Sequence, residues 1–145
     1  MKKLLVTWSI LIVLFGSAGI IKADEQYVRI STTKSSLDLG TITFWGDGVS
    51  SEVLTVRVES NCVHGPIVAS ITSLKGVGGG YITPDRVLIK TETTGGFVSM
   101  AEPVSISETT EGSHDIMANF KINTTIKDHA GRYRGSLAFT VMPPS

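Results

Sequence analysis

The chain has 145 residues, with 13 Lys or Arg balanced by 13 Asp or Glu, so its formal net charge at neutral pH is zero. Hydrophobic residues make up 41%, enough for a domain with a buried core. The absence of a basic excess argues against nucleic acid or an anionic membrane as the main partner, and a single cysteine excludes an internal disulfide.

Lys2 and Lys3 open the chain, and an apolar run from Leu4 to Phe15 follows, interrupted by Thr7 and Ser9. Small residues come next at Gly16, Ser17, Ala18 and Gly19, and again at Ala23. This is the layout of a secretory signal peptide, and the run is shorter than the roughly 20 residues of a bilayer span. Residues 1–23 are therefore read as a signal peptide cut after Ala23, with Ala18 as the alternative, and residues 24–145 as a single β-sandwich domain. Removing Lys2, Lys3 and Lys22 leaves ten basic against thirteen acidic residues, a net charge of −3. The product is expected in the periplasm or outside the cell, with no stable membrane span and no nucleic-acid partner.

Beyond the leader the dominant hydrophobic period is two, which is what a half-buried strand requires. Tyr27–Thr32 is the first short strand, with Val28, Ile30 and Thr32 on one side. Ser36–Phe44 follows, and a change of apolar parity across Gly40 predicts a bulge there. Trp45 stands in the turn Gly46-Asp47-Gly48 and is read as a cover for the core edge or as a ligand platform. In "EVLTVRVES", Leu54, Val56 and Val58 share one face. Cys62 is read as a small buried residue beside a strand end, or else as an intermolecular or reactive thiol. Pro66–Ser73 is a further strand, and "GVGGG" at Gly76–Gly80 predicts a hairpin tip or crossover. Arg86–Thr91 and Val104–Ser107 are short strands. In "DIMANFKINTTI", Ile116, Ala118, Phe120, Ile122, Thr124 and Ile126 share a face. The glycosylation pattern at Asn123 falls inside that strand and is read as a chance match. In "RYRGSLAFTVM", Tyr133, Leu137, Phe139 and Val141 point inward, and Gly135 leaves space beside Tyr133 or permits close strand approach. No mature window shows an apolar stripe at helical spacing. Short strands with Gly and Pro punctuation read as an all-β, antiparallel sandwich or barrel.

No motif of catalysis accompanies these strands. The glycine cluster lacks the Lys-Ser/Thr ending of a phosphate loop. His64, His114 and His129 are scattered and make no zinc spacing. The acids do not repeat as in a calcium loop, and there is no Gly-x-Ser-x-Gly elbow. A non-enzymatic protein without cofactor or metal is expected.

The stretch "AGRYRGSLAFTVM" resembles the Ala-Gly-x-Tyr-x-Gly segment and alternating last strand of bacterial fimbrial (pilin-like) subunits. "SLDLGTITF" is similar to their early Leu-x-Phe-Gly segment, with Leu39 in place of the aromatic. The resemblance implies an immunoglobulin-like β-sandwich that is incomplete and is completed by a neighbouring subunit. It further implies a structural or adhesive surface subunit of a fimbria that associates with itself or related subunits and uses a periplasmic chaperone. The disulfide of many pilins cannot form with Cys62 alone. Tyr133, Gly135, Leu137, Phe139 and Val141 become the candidate receiving edge, and Tyr27, Val28, Ile30 and Thr32 the candidate assembly segment. The competing arrangement keeps Tyr27–Thr32 in its own domain as an ordinary first strand. The alternative function is a free-standing extracellular binding module for carbohydrate, using Trp45.

Overall fold

The structure is a computed structural model that describes residues 2–5, 13–15, 25–34, 36–40, 49–50 and 53–143. In chain order the strands are β1 (Lys2–Leu5), β2 (Val13–Phe15), β3 (Gln26–Thr32), β4 (Ser36–Gly40), β5 (Val49–Ser50) and β6 (Leu54–Ser60). They continue with β7 (Val63–His64), β8 (Ile67–Ile71), β9 (Leu74–Gly76), β10 (Tyr81–Ile82), β11 (Val87–Lys90) and β12 (Val98–Ser99). The last are β13 (Val104–Ser105), β14 (Thr110–Glu111), β15 (His114–Ile122), β16 (Tyr133–Arg134) and β17 (Leu137–Val141). The one helical element among the described residues is a 3₁₀ turn, Pro84–Arg86. No helix among them is long and apolar enough to cross a membrane. The protein is all-β, as the period-two pattern predicts.

The largest sheet runs β12-β11-β15-β6-β3-β2, and β5 pairs with the end of β15 that β6 does not reach. Elsewhere β17 lies beside β8, with β13 beyond it, and β16 lies beside β9, with β10 beyond that. Only two residues separate β8 from β9 and β16 from β17, so these form one longer antiparallel pair with an interruption. Thr72 and Ser136 bridge the interruption: the Thr72 N–H donates to the Ser136 carbonyl at 2.9 Å, and the Ser136 N–H to Thr72 Oγ1 at 2.9 Å. A small ribbon, β7 with β14, hangs beside β6 and β15 in sequence. All of these pairings are antiparallel.

The inward faces meet in one hydrophobic cluster. Leu54, Val56, Val58, Ile116, Phe120, Ile122, Leu137 and Phe139 are buried, and Val141 packs at the margin. Alternation in "DIMANFKINTTI" stops at Ile122, however. The Asn123 N–H adds one more bond in the β11 register, to the Arg86 carbonyl at 2.9 Å; the chain then leaves the sheet, and Thr125–Asp128 form a turn closed by the Asp128 N–H on the Thr125 carbonyl at 3.0 Å. Ile126 is consequently exposed, and Asn123 lies outside the strand. "GVGGG" is the tip of the β9–β10 hairpin, where the Gly76 N–H reaches the Gly80 carbonyl at 2.9 Å. Gly79 and Gly80 have φ of +105° and +81°, values that favour glycine. At β4 the ladder with β1 pairs Lys2 with Gly40 and Lys3 with Asp38. Leu39 is skipped, a bulge beside Gly40 of the kind the parity change predicts.

Candidate functional site

The receiving-edge residues lie together on β16 and β17. Tyr133, Leu137 and Phe139 point into the core because their positions alternate with Arg134 and Thr140, which are exposed. The Tyr133 ring is buried, and its hydroxyl donates to the His129 carbonyl at 2.6 Å. Burial holds this phenol above its ordinary range, and the nearby Asp128 carboxylate acts in the same direction. The hydroxyl therefore stays protonated as a donor. Gly135 permits close approach: a Cβ there would collide with Leu74 Cδ2 of the neighbouring strand β9. Gly76, across from Tyr133, is similarly filled by the Gly79 carbonyl and faces the Tyr133 ring.

A polar clamp beneath this corner was not legible in the sequence. Arg86 donates through Nη1 to both Asp128 oxygens at 2.9 and 2.8 Å, and through Nη2 to the Tyr81 carbonyl at 3.2 Å. Asp128 also accepts the Thr125 N–H at 2.6 Å. The pair fixes the loop before Tyr133 to the 3₁₀ turn. Its members stand 42 residues apart, and neither sits in a recognisable motif.

On its inner side β17 pairs with β8 along its whole length, from Leu137 opposite Ile71 to Val141 opposite Ile67. On its other side no strand is paired among the described residues. β16 differs, because β1 lies against it and is itself paired with β4. Residues from the expected leader thus occupy the flank of β16, while β2, also from the leader, pairs with β3.

Tyr27, Val28, Ile30 and Thr32, the candidate assembly segment, form β3 of the largest sheet. They pair with β6 of the same chain, from Val28 opposite Ser60 to Thr32 opposite Val56. Val28 and Ile30 are buried in the core. This is the arrangement of an ordinary first strand, and donation to a neighbour would require β3 to leave β6. Trp45, the candidate ligand platform, lies outside the described residues. Cys62 is a free, buried thiol facing Ser60 Oγ at 3.6 Å and the Tyr27 carbonyl at 3.7 Å.

Two scattered histidines meet in space. The rings of His64 and His114 stack with centroids 5.2 Å apart and planes 6° from parallel. His64 is fully buried, and its Nδ1 bonds the Gly65 carbonyl at 2.8 Å. His64 Nε2 and both ring nitrogens of His114 are buried without a hydrogen-bond partner. Burial pushes the His114 pKa below its ordinary 6.5, and the adjacent His64 adds to this. The Gly112 backbone, close to the ring but outside hydrogen-bonding geometry, and the Asp115 carboxylate oppose it. A signal existed: His114 has the inward parity of Ile116, and His64 shares the parity of Cys62. His114 also borders an open cleft of about 640 Å3 with Glu92, Glu108 and Met117. Among the described residues no group of three or more His, Cys, Asp or Glu is placed to hold a metal ion.

No protein-family model matches the chain, and no curated protein matches it significantly.

Proposed function

We propose that the chain is a secreted, non-enzymatic structural or adhesive subunit of a surface assembly, completed at one sheet edge by an extended segment of a neighbouring subunit. The observation that carries this reading is the edge of β16 and β17, which no later strand covers among the described residues. An immunoglobulin-like sandwich orders its strands A-B-E-D in one sheet and C-F-G in the other. Here β3-β6-β15-β11 follows the first order, and β8/β9 beside β16/β17 follows the C-F part of the second. The position of G, beside β17, is unpaired among the described residues. The Tyr133 hydroxyl, bonded to a carbonyl four residues upstream, resembles the tyrosine corner near the start of strand F and supports the same reading. β1 lying against β16 supports the same reading, since it indicates that this flank accepts an extended backbone. Once the leader is removed on export, that place is left to another segment. An open edge invites strand addition, with backbone hydrogen bonds for affinity and alternate side chains for specificity.

The test is to express the full chain in a bacterium with a periplasm and to recover the exported product. We expect mass spectrometry to find Asp24 at the N-terminus and native size analysis to find polymers or a complex with a chaperone. A stable monomer starting at Asp24 would overturn the proposal.

A further inference from the structure

We propose that the outward face of the β10-β9-β16 sheet binds an acidic oligosaccharide, one bearing carboxylate or sulfate groups. Tyr81 stands directly opposite Lys75, and Lys75 directly opposite Arg134. Residues paired in this way in antiparallel strands project from the same face. The three therefore form one row across three strands, and all three are exposed, Tyr81 by 61%. The alternate positions, Leu74, Gly76, Ile82 and Tyr133, face the core. With strands about 4.8 Å apart, the row is about 10 Å long.

The row is electrostatically incomplete. Like charges directly opposite each other in a sheet destabilise it, and no salt bridge joins Lys75 or Arg134 to an acid among the described residues. The acid that anchors this end, Asp128, is held by Arg86. An anion lying across Lys75 and Arg134 would relieve the repulsion and form charge-assisted hydrogen bonds. Beside these cations the Tyr81 ring offers an apolar face with a polar rim, which suits the C–H face of a sugar. An acidic peptide fits less well. Strand addition needs a free edge, whereas this row lies on a sheet face. A single phosphate is smaller than the row. The inference is independent of the assembly proposed above, which uses the edge of β16 and β17 and not this face.

The experiment uses the exported protein in whatever oligomeric state it adopts. Its binding is measured to a heparin-derived hexasaccharide, a galacturonic acid hexamer, neutral maltohexaose and hexaglutamate. We expect one or both acidic sugars to bind about tenfold more tightly than maltohexaose and hexaglutamate, and their ranking distinguishes sulfate from carboxylate recognition. Lys75→Ala, Arg134→Ala and Tyr81→Ala should each weaken that binding about fivefold or more. Tyr81→Phe should retain it, and Lys90→Ala, on the other sheet, should leave it unchanged. Circular dichroism checks that these surface variants remain folded. Absence of binding, or binding indifferent to the three alanine variants, overturns the proposal. Hexaglutamate binding as tightly as the acidic sugars also overturns it, because the face would then be a general acidic-peptide surface.

Discussion

At the scale of single residues, the C-terminal corner depends on one hydroxyl and one missing side chain. Tyr133 is buried, and a buried polar group must be paired or it costs free energy. The His129 carbonyl 2.6 Å away satisfies it. Tyr133→Phe removes the donor and leaves that carbonyl short of a partner, so stability should fall by about 1–2 kcal/mol. Gly135→Ala places a methyl against Leu74 Cδ2 in a packed core, at a cost of about 1–3 kcal/mol. Urea denaturation of each variant checks both values, and midpoints equal to the parent's would show that the corner contributes nothing. The inward direction of Tyr133 was legible because alternation alone determines it. The reason for Gly135 was legible only as a choice between two roles, and Leu74 in the neighbouring strand decides between them. His129 as acceptor was not legible, since any loop carbonyl within reach would read the same in sequence.

At the scale of elements, the stacked histidines join the β7–β14 ribbon to the start of β15. Thr110 pairs with His64 on one side of the stack, and His114 pairs with Val58 on the other. The charged groups of the packed elements are Glu111 on β14, Arg57 and Glu59 on β6, Asp115 on β15, and Glu92 and Glu108 along the cleft. Arg57 is engaged by Asp115 at 3.2 Å, which leaves less of that carboxylate's charge for an imidazolium. Because the fold lowers the His114 pKa, the unfolded chain takes up a proton near the ordinary value of 6.5 while the folded chain does not. The unfolded state then binds more protons, so this contribution to stability is full above pH 6.5 and is lost as the pH falls toward the depressed folded value. The denaturation midpoint should therefore drop between neutral pH and pH 5.5, and His114→Phe, which keeps a stacking ring without the titration, should flatten the drop. An unchanged slope in His114→Phe would assign the acid sensitivity to other groups. Sequence parity hints that both histidines face inward, but no periodicity relates residues in different hairpins. Their stacking follows from the register of β7 with β14 and of β15 with β6.

At the scale of the whole molecule, period two and turn punctuation revealed an antiparallel β protein because both are local. Which edge remains open is not local: it depends on strand order, and strand order depends on long-range pairings. The N-terminal run shows the difference most clearly. Its composition has the layout expected of a leader, yet its two short strands pair with the body, β2 with β3 and β1 with β4, and β1 also flanks β16. Apolar extended residues beside open edges gain backbone hydrogen bonds that those edges otherwise lack. The N-terminal run thus covers the edge of β3 and the flank of β16, and the cleavage proposed above would uncover both at once. β3 itself stays paired with β6 through Val28 and Ile30, so the uncovered edges would seek an extended segment from another chain. Refolding Met1–Ser145 and Asp24–Ser145 side by side tests this account. Sedimentation velocity at equal concentration should find the shorter chain more associated. Hydrogen exchange should find the β3 amides that face β2 better protected in the longer one. If Asp24–Ser145 stays monomeric, or if the longer chain associates just as far with no added protection at β3, then the leader does not mask an assembly edge.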